Sequence, residues 1–375
     1  MSPSPALRAR VPRSVLWLVG ASLAAQLWGR LGEVDPHTVE RVVTVALVVI
    51  LFDGGLHIGR RRFRTVVVPV ALVGVLGTVL TTAGVAALAH WGLDFAWYPA
   101  LLLGAAAAPT DPAVVFAVLG NHEIPGRSGT LLEGESGAND PVGIALMTAL
   151  IAAGTVSAGA LGNALAEFGL QLAVGLVGGL AGALVLRPLT RRSPLLLLAG
   201  ALALFALTAA AHGSGFLAVF VAGIALGDDL PAQVGPHSST RPGARPERTL
   251  AALAGLGEVV AFIALGLTVD PDVLRRSDVW LPGLVLGVAL AVAIRPLLVG
   301  ACLGRVALSG REKAFVLWAG LKGAVPILLG VLMLAEPVPD ADRLYGVVVV
   351  LVLFSVLVQG STVGALVPRT GTVRE

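Results

Sequence analysis

Apolar stretches long enough to cross a bilayer recur along almost the whole chain, and no other property narrows its fold so far. A transmembrane helix needs about 20 mostly apolar residues. A sliding hydropathy reading finds twelve such runs: roughly 14–32, 42–58, 65–90, 96–119, 130–155, 163–186, 194–211, 213–227, 250–269, 279–302, 312–335 and 343–366. Only His212 and two glycines part the seventh run from the short eighth. Charged residues make up 13% of the chain, about half the ~25% of a soluble domain. That supply cannot dress a globular surface in water, but it suits a chain that faces lipid.

The pattern predicts an all-α polytopic membrane protein of about twelve transmembrane helices. Residues 1–13 are expected to form a cytoplasmic N-terminal segment, 14–367 the membrane domain and 368–375 a short cytoplasmic tail, and no further cytosolic domain is expected. A Pro/Gly/Ser-rich linker falls at about 228–249. Arg8, Arg10 and Arg13 precede the first run without a cleavage site that would mark a signal peptide. Cys302 is the sole cysteine, so no disulfide framework exists.

Loop charge orients the spans. With both termini in the cytoplasm, the inner segments hold nineteen Lys and Arg residues and the outer segments five: Arg30, Arg41, Arg275, Arg276 and Arg343. This is the asymmetry of the positive-inside rule. The basic residues recur at intervals and form no single patch, which argues against a nucleic-acid partner.

Two cations, Arg295 and Lys322, remain within spans, together with the acids Asp53, Asp111, Glu135, Asp140 and Glu258, and with Glu133 at an edge. A charge at the bilayer centre costs at least ~2.5–3.5 kcal/mol on insertion scales, so such groups pair or serve function. In the fourth span, Pro109 and Pro112 flank Thr110 and Asp111. Each proline removes a donor and clashes with the preceding turn, so the helix should unwind there. Unwound backbone at this depth is tolerated only where it is buried in protein or lines a cavity. An ordinary proline kink is the alternative, but the acid and hydroxyl set between the prolines favour a cation cage made by the freed carbonyls and Asp111. In the eleventh span, Gly320, Gly323 and Pro326 loosen the chain around Lys322. Interrupted spans in corresponding halves point to a midplane transport site.

The fifth span carries two polar stripes, because residues four apart share a helix face. One holds Ser136 and Asp140, hard oxygen ligands for Na⁺ or K⁺. The other holds Glu135 and Asn139, with Glu135 available to pair with Arg295.

Together these residues resemble the NhaP-type monovalent cation/proton antiporters, closest to the K⁺/H⁺ exchanging branch. Four motifs match in order: ILFDGGLHIGRRRFR (50–64), PTDPAVVFAVL (109–119), LLEGESGANDPVG (131–143) and GLKGAVPI (320–327). HGSGFLAVFVAGIALG (212–227) and IRPLL (294–298) are weaker echoes. The resemblance spans about 42–365. It implies an inverted-repeat antiporter fold with discontinuous helices near the midplane, in the plasma membrane, as a homodimer and without a cofactor.

By residue, the resemblance makes Asp140 the carboxylate that carries cation and proton in turn. Thr110, the backbone around Asp111, and Ser136 complete the cation site. Asn139 holds the unwound helix and Glu135 pairs with Arg295. Lys322 stands where the family usually has arginine, which leaves its role open. Relatives with Asn-Asp at 139–140 tend to exchange one cation for one proton, and a single carrier carboxylate agrees with that. Members usually begin with one more helix, giving thirteen spans, and twelve are legible here.

Blander readings stand beside these. Asp53 lines a cytoplasmic funnel or faces Arg60–Arg64 as a helix-end acid, and Glu258 reads slightly better as structural than as a second proton group. His57, His90 and His212 lie at span ends. GESG (134–137) matches the G-x-S-G of intramembrane serine proteases, but no histidine lies well inside a span to activate Ser136. A passive cation channel fits less well than exchange, because one proton-titratable acid suits a carrier.

Overall fold

The computed structural model describes residues 13–27, 34–112, 115, 127–230, 246–306 and 308–366. Among them there is no strand, and helical segments occupy all twelve apolar runs. The expected N-terminal segment (1–13), most of the linker, the C-terminal tail (368–375) and the second half of the fourth span lie almost wholly outside the described residues.

In chain order the helices are α1 (Arg13–Leu27), α2 (Pro36–Arg64), α3 (Val67–Leu93), α4 (Trp97–Ala107), α5 (Arg127–Ala153) and α6 (Ala158–Leu186). They continue with α7 (Pro194–Ala210), α8 (Gly215–Gly227), α9 (Pro246–Leu267) and α10 (Ser277–Cys302). The eleventh run is split into α11a (Gly310–Trp318) and α11b (Ala324–Ala335), and α12 is Ala341–Val363. Among the described residues, six helices are long and apolar enough to span a bilayer. Two of the shorter ones, α4 and α11b, are halves of spans that the sequence predicts to be broken.

Boundaries differ from expectation where polar residues extend a helix beyond its apolar run. α2 kinks at Gly59, where φ is 64°, and resumes to Arg64; arginines at a span end place their charge in the interface while their stems cover apolar surface. The uncertain seventh-to-eighth boundary is a real turn. His212 is left-handed (φ 57°), and the Ser214 hydroxyl accepts from Leu217 N to cap α8.

The helices form two groups. α3, α4 and α5 pack with α10, α11 and α12, while α1, α2, α8 and α9 pack together, with α6 and α7 against α8. α2 and α8 cross through glycines: an added methyl on Gly55 would meet the backbone of Phe220 and Ile224, and one on Gly223 would meet Phe52. Small residues let membrane helices approach this closely. The two groups meet along α2, α5, α6, α8 and α11b, and the candidate site lies at that seam.

Candidate functional site

The break after α4 raises an accounting question, since buried backbone groups need partners. The Ala108 and Pro109 carbonyls accept from the Lys322 ammonium at 3.0 and 2.8 Å. The Thr110 carbonyl accepts from the Ser136 hydroxyl at 2.5 Å. Asn139 closes on Thr110 twice: its Oδ1 accepts from Thr110 N at 3.3 Å, and its Nδ2 donates to Thr110 Oγ1 at 2.7 Å. Asp111 N donates to the Leu321 carbonyl at 2.7 Å. The two broken spans thus cross at their breaks. The freed carbonyls from 108 to 110 already serve Lys322 and Ser136, so the cage that the sequence expected from them is built mainly as a scaffold.

The second break is held the same way. Lys322 N donates to Ser355 Oγ at 3.0 Å, and Ser355 Oγ donates to Gln359 Oε1 at 2.8 Å. Arg295 donates to the carbonyls of Leu317 and Val316 at the C-terminal end of α11a, at 2.9 and 3.3 Å. It also pairs with Glu135 at 2.7 Å, with both side chains at 5% exposure or less. Gly323 precedes α11b, and a methyl there would fall on the Asp111 carboxylate. The electrostatic logic is consistent. Cations sit at the C-terminal ends of α4 and α11a, and an acid sits at the N-terminal end of α11b, each opposing the helix dipole.

Three π-helical stretches support the crossing. Residues Leu72–Leu76 bring Gly74 against the backbone of Glu135 and Asn139. Leu290–Val299 carries Arg295, and Ser355–Gln359 carries both members of the Lys322 support. Such insertions re-aim side chains and are frequent at functional sites.

A cavity of about 430 Å³ reaches this crossing from the seam between the two groups. Asp53, His57 and Glu133 line it near the arginine-rich end of α2, and Asp111, Ser136 and Asp140 line it at the crossing. Asp140 is 8% exposed, and its Oδ1 has no hydrogen-bond partner. The Ser136 hydroxyl gives its proton to Thr110, so its lone pairs remain available. The two stripes of α5 therefore separate in space: Ser136 and Asp140 meet the cavity, while Glu135 pairs with Arg295 through Oε1, its Oε2 left without a hydrogen-bond partner, and Asn139 closes on Thr110.

Of the eight candidate residues, Asp111, Ser136 and Asp140 line the cavity. Thr110, Glu135, Asn139, Arg295 and Lys322 are buried behind it and do not line it. Glu258 and Asp53 also line it, and the sequence left both open. Asp53 is 3.3 Å from His57 Nδ1. Ser355 and Gln359 escaped the sequence reading, although two polar residues four apart in an apolar span are a visible signal. His90 is engaged elsewhere, 2.7 Å from the Phe95 carbonyl and stacked on Trp97.

This architecture defines a class: a polytopic helical membrane protein whose two broken spans cross at a cavity ending in carboxylates, the form of ion-coupled secondary transporters. A family described as sodium/hydrogen exchanger, transmembrane, matches residues 4–369, and the chain belongs to that family. It is 34% identical over 338 residues to a protein of Shewanella sp. (strain MR-4) named K(+)/H(+) antiporter NhaP2, covering 88% of this chain and 57% of that one. It is 27% identical over 356 residues to the Na(+)/H(+) antiporter ApNhaP of Aphanothece halophytica, covering 89% and 65%. The chain thus spans less than two thirds of these relatives. Its fold is similar to that of the sodium proton antiporter MjNhaP1 from Methanocaldococcus jannaschii, with a TM-score of 0.74 and 22% identity over 95% of this chain and 97% of that one.

Proposed function

We propose that this chain is a secondary antiporter that exchanges a monovalent cation, Na⁺ or K⁺, for H⁺ by alternating access, with Asp140 as the shared carboxylate. The observation that carries this reading is the position of Asp140. It is a nearly buried acid with one oxygen unpartnered, at the crossing of two broken helices and reached by a cavity. Both cargo ions compete for that group. A proton neutralises it, whereas a cation needs it ionised, with Ser136 Oγ and the Asp111 carboxylate as further oxygen donors. Thr110 acts from behind, by orienting Ser136 and Asn139.

Glu135, Asn139, Arg295 and Lys322 hold the crossing rigid and neutralise its helix ends. One carrier acid supports electroneutral one-for-one exchange, because the same charge crosses in each direction. The excess of arginine at the cavity's mouth supports an inward-facing state in a plasma membrane with cytoplasmic termini. The homodimer is carried from the family resemblance. A protease using Ser136 is disfavoured, since that hydroxyl donates to the Thr110 carbonyl, and a channel is disfavoured by the single carrier acid.

The test is cation-induced dequenching of a pH-sensitive dye in everted vesicles with Na⁺, K⁺ and Li⁺, wild type beside Asp140→Asn. Dequenching by at least one cation that disappears in the variant is expected. Wild-type protein that is folded and inserted, yet collapses no gradient with any of the three, would overturn the reading.

A further inference from the structure

A second cavity lies behind the crossing and opens on the lipid-facing surface. Its volume is about 570 Å³, within the ~300–1,000 Å³ usual for small-molecule sites, and its walls come from the end of α2 and from α3, α5, α6 and α8. The lining is apolar, with Val70, Ala138, Val142 and Ile224 among its walls. Leu176 and Leu180 of the same lining are about half exposed. The exceptions are two cations at the end of α2, Arg60 and Arg64.

The charges at this end are unequal. Asp228 and Asp229 lie 3.7 and 3.2 Å from Arg60, Asp229 also pairs with Arg187, and Glu133 pairs with Arg62. Arg64 is exposed and has no carboxylate partner among the described residues. An apolar cleft with a cationic rim, where a span ends, matches an amphiphile with a hydrocarbon tail and a negative head. The tail fills apolar volume, and the phosphate finds an arginine suited to bidentate contact.

We propose that this cleft binds one anionic phospholipid, with an acyl chain between α3, α5, α6 and α8 and the phosphate at Arg64 and Arg60. The position makes the lipid a brace on the ion site. Phe220, 2% exposed, lines both cavities, and its ring packs on Gly137 between Ser136 and Ala138. Ala138 and Val142 show the cleft one face of α5, while Ser136 and Asp140 on another face meet the ion cavity. A chain in the cleft therefore backs the partition between them.

The experiment uses the full chain in detergent with phosphatidylglycerol or phosphatidylcholine of identical acyl chains. Lipid occupancy is read by native mass spectrometry and stability by thermal unfolding. Phosphatidylglycerol should be retained and should raise the unfolding temperature, and phosphatidylcholine should do neither. Arg64→Ala should weaken phosphatidylglycerol binding about fivefold, the worth of one basic residue at a lipid surface. Ala173→Phe, which fills the cleft from α6, should abolish binding, and Arg61→Ala, exposed and outside the cleft lining, should leave it unchanged. The proposal is overturned if the two lipids behave alike on the wild type, or if Arg64→Ala retains wild-type occupancy. Should Ala173→Phe not fold, the Arg64 comparison decides alone. None of these readouts requires transport, so their failure is separate from failure of the antiport reading.

Discussion

The ammonium of Lys322 lies 2.8 Å from the carbonyl oxygen of Pro109, 213 residues earlier in the chain. This contact, with its twin to Ala108, joins the two broken spans where each has lost its own hydrogen bonds. A flexible point charge with three donors can serve two carbonyls that splay apart.

Removing that charge leaves the two carbonyls without a donor. Lys322→Met should destabilise the fold by about 1–3 kcal/mol for each acceptor left buried and unsatisfied. Thermal unfolding in detergent checks this, and an unchanged midpoint would mean that other groups satisfy the break.

The Glu135–Arg295 pair is the second joint. Breaking a buried pair from one side costs about 3–5 kcal/mol. Arg295→Met should be worse than Glu135→Gln, because it also strands the Val316 and Leu317 carbonyls. The double variant should lose less than the sum of the two, since the singles share one interaction. A double-mutant cycle on unfolding free energies reads that coupling directly.

Much of this fold was legible in the apolar runs, and both breaks were legible in Pro109, Pro112, Gly320 and Gly323. The α5 stripes also followed from helix period alone. What the sequence could not supply was the partner of each freed group. Lys322 to Pro109 and Ser355 to Lys322 N are tertiary contacts, and no local pattern pairs residues that far apart. The freed carbonyls therefore read as cation ligands, when protein donors already hold them. Asp53 and Glu258 stayed open for the same reason: periodicity places a residue on a helix face but does not say that the face meets a cavity.

Gly323→Ala tests the close approach of Asp111 to the start of α11b. The methyl would fall on the carboxylate, and overpacking of this kind costs about 1–3 kcal/mol. Transport should fall with stability, whereas Gly310→Ala, which meets nothing nearby, should leave transport unchanged. Parallel dye-dequenching and melting curves on both variants check this.

If cation and proton share Asp140, acid must weaken cation binding. The apparent KM for the transported cation should rise as pH falls, approaching about tenfold per pH unit where the carboxylate is protonated. Initial rates across pH 6–9 would show it, and a KM flat over a range where the rate itself falls would place the proton on another group.

The most direct test of the central claim is proton release on cation addition to the purified protein in weakly buffered solution, without a membrane or a gradient. One shared carboxylate predicts that Na⁺ or K⁺ expels a proton from wild-type protein and none from Asp140→Asn. Release that persists in Asp140→Asn, or wild-type cation binding with no release at any pH, would contradict the account.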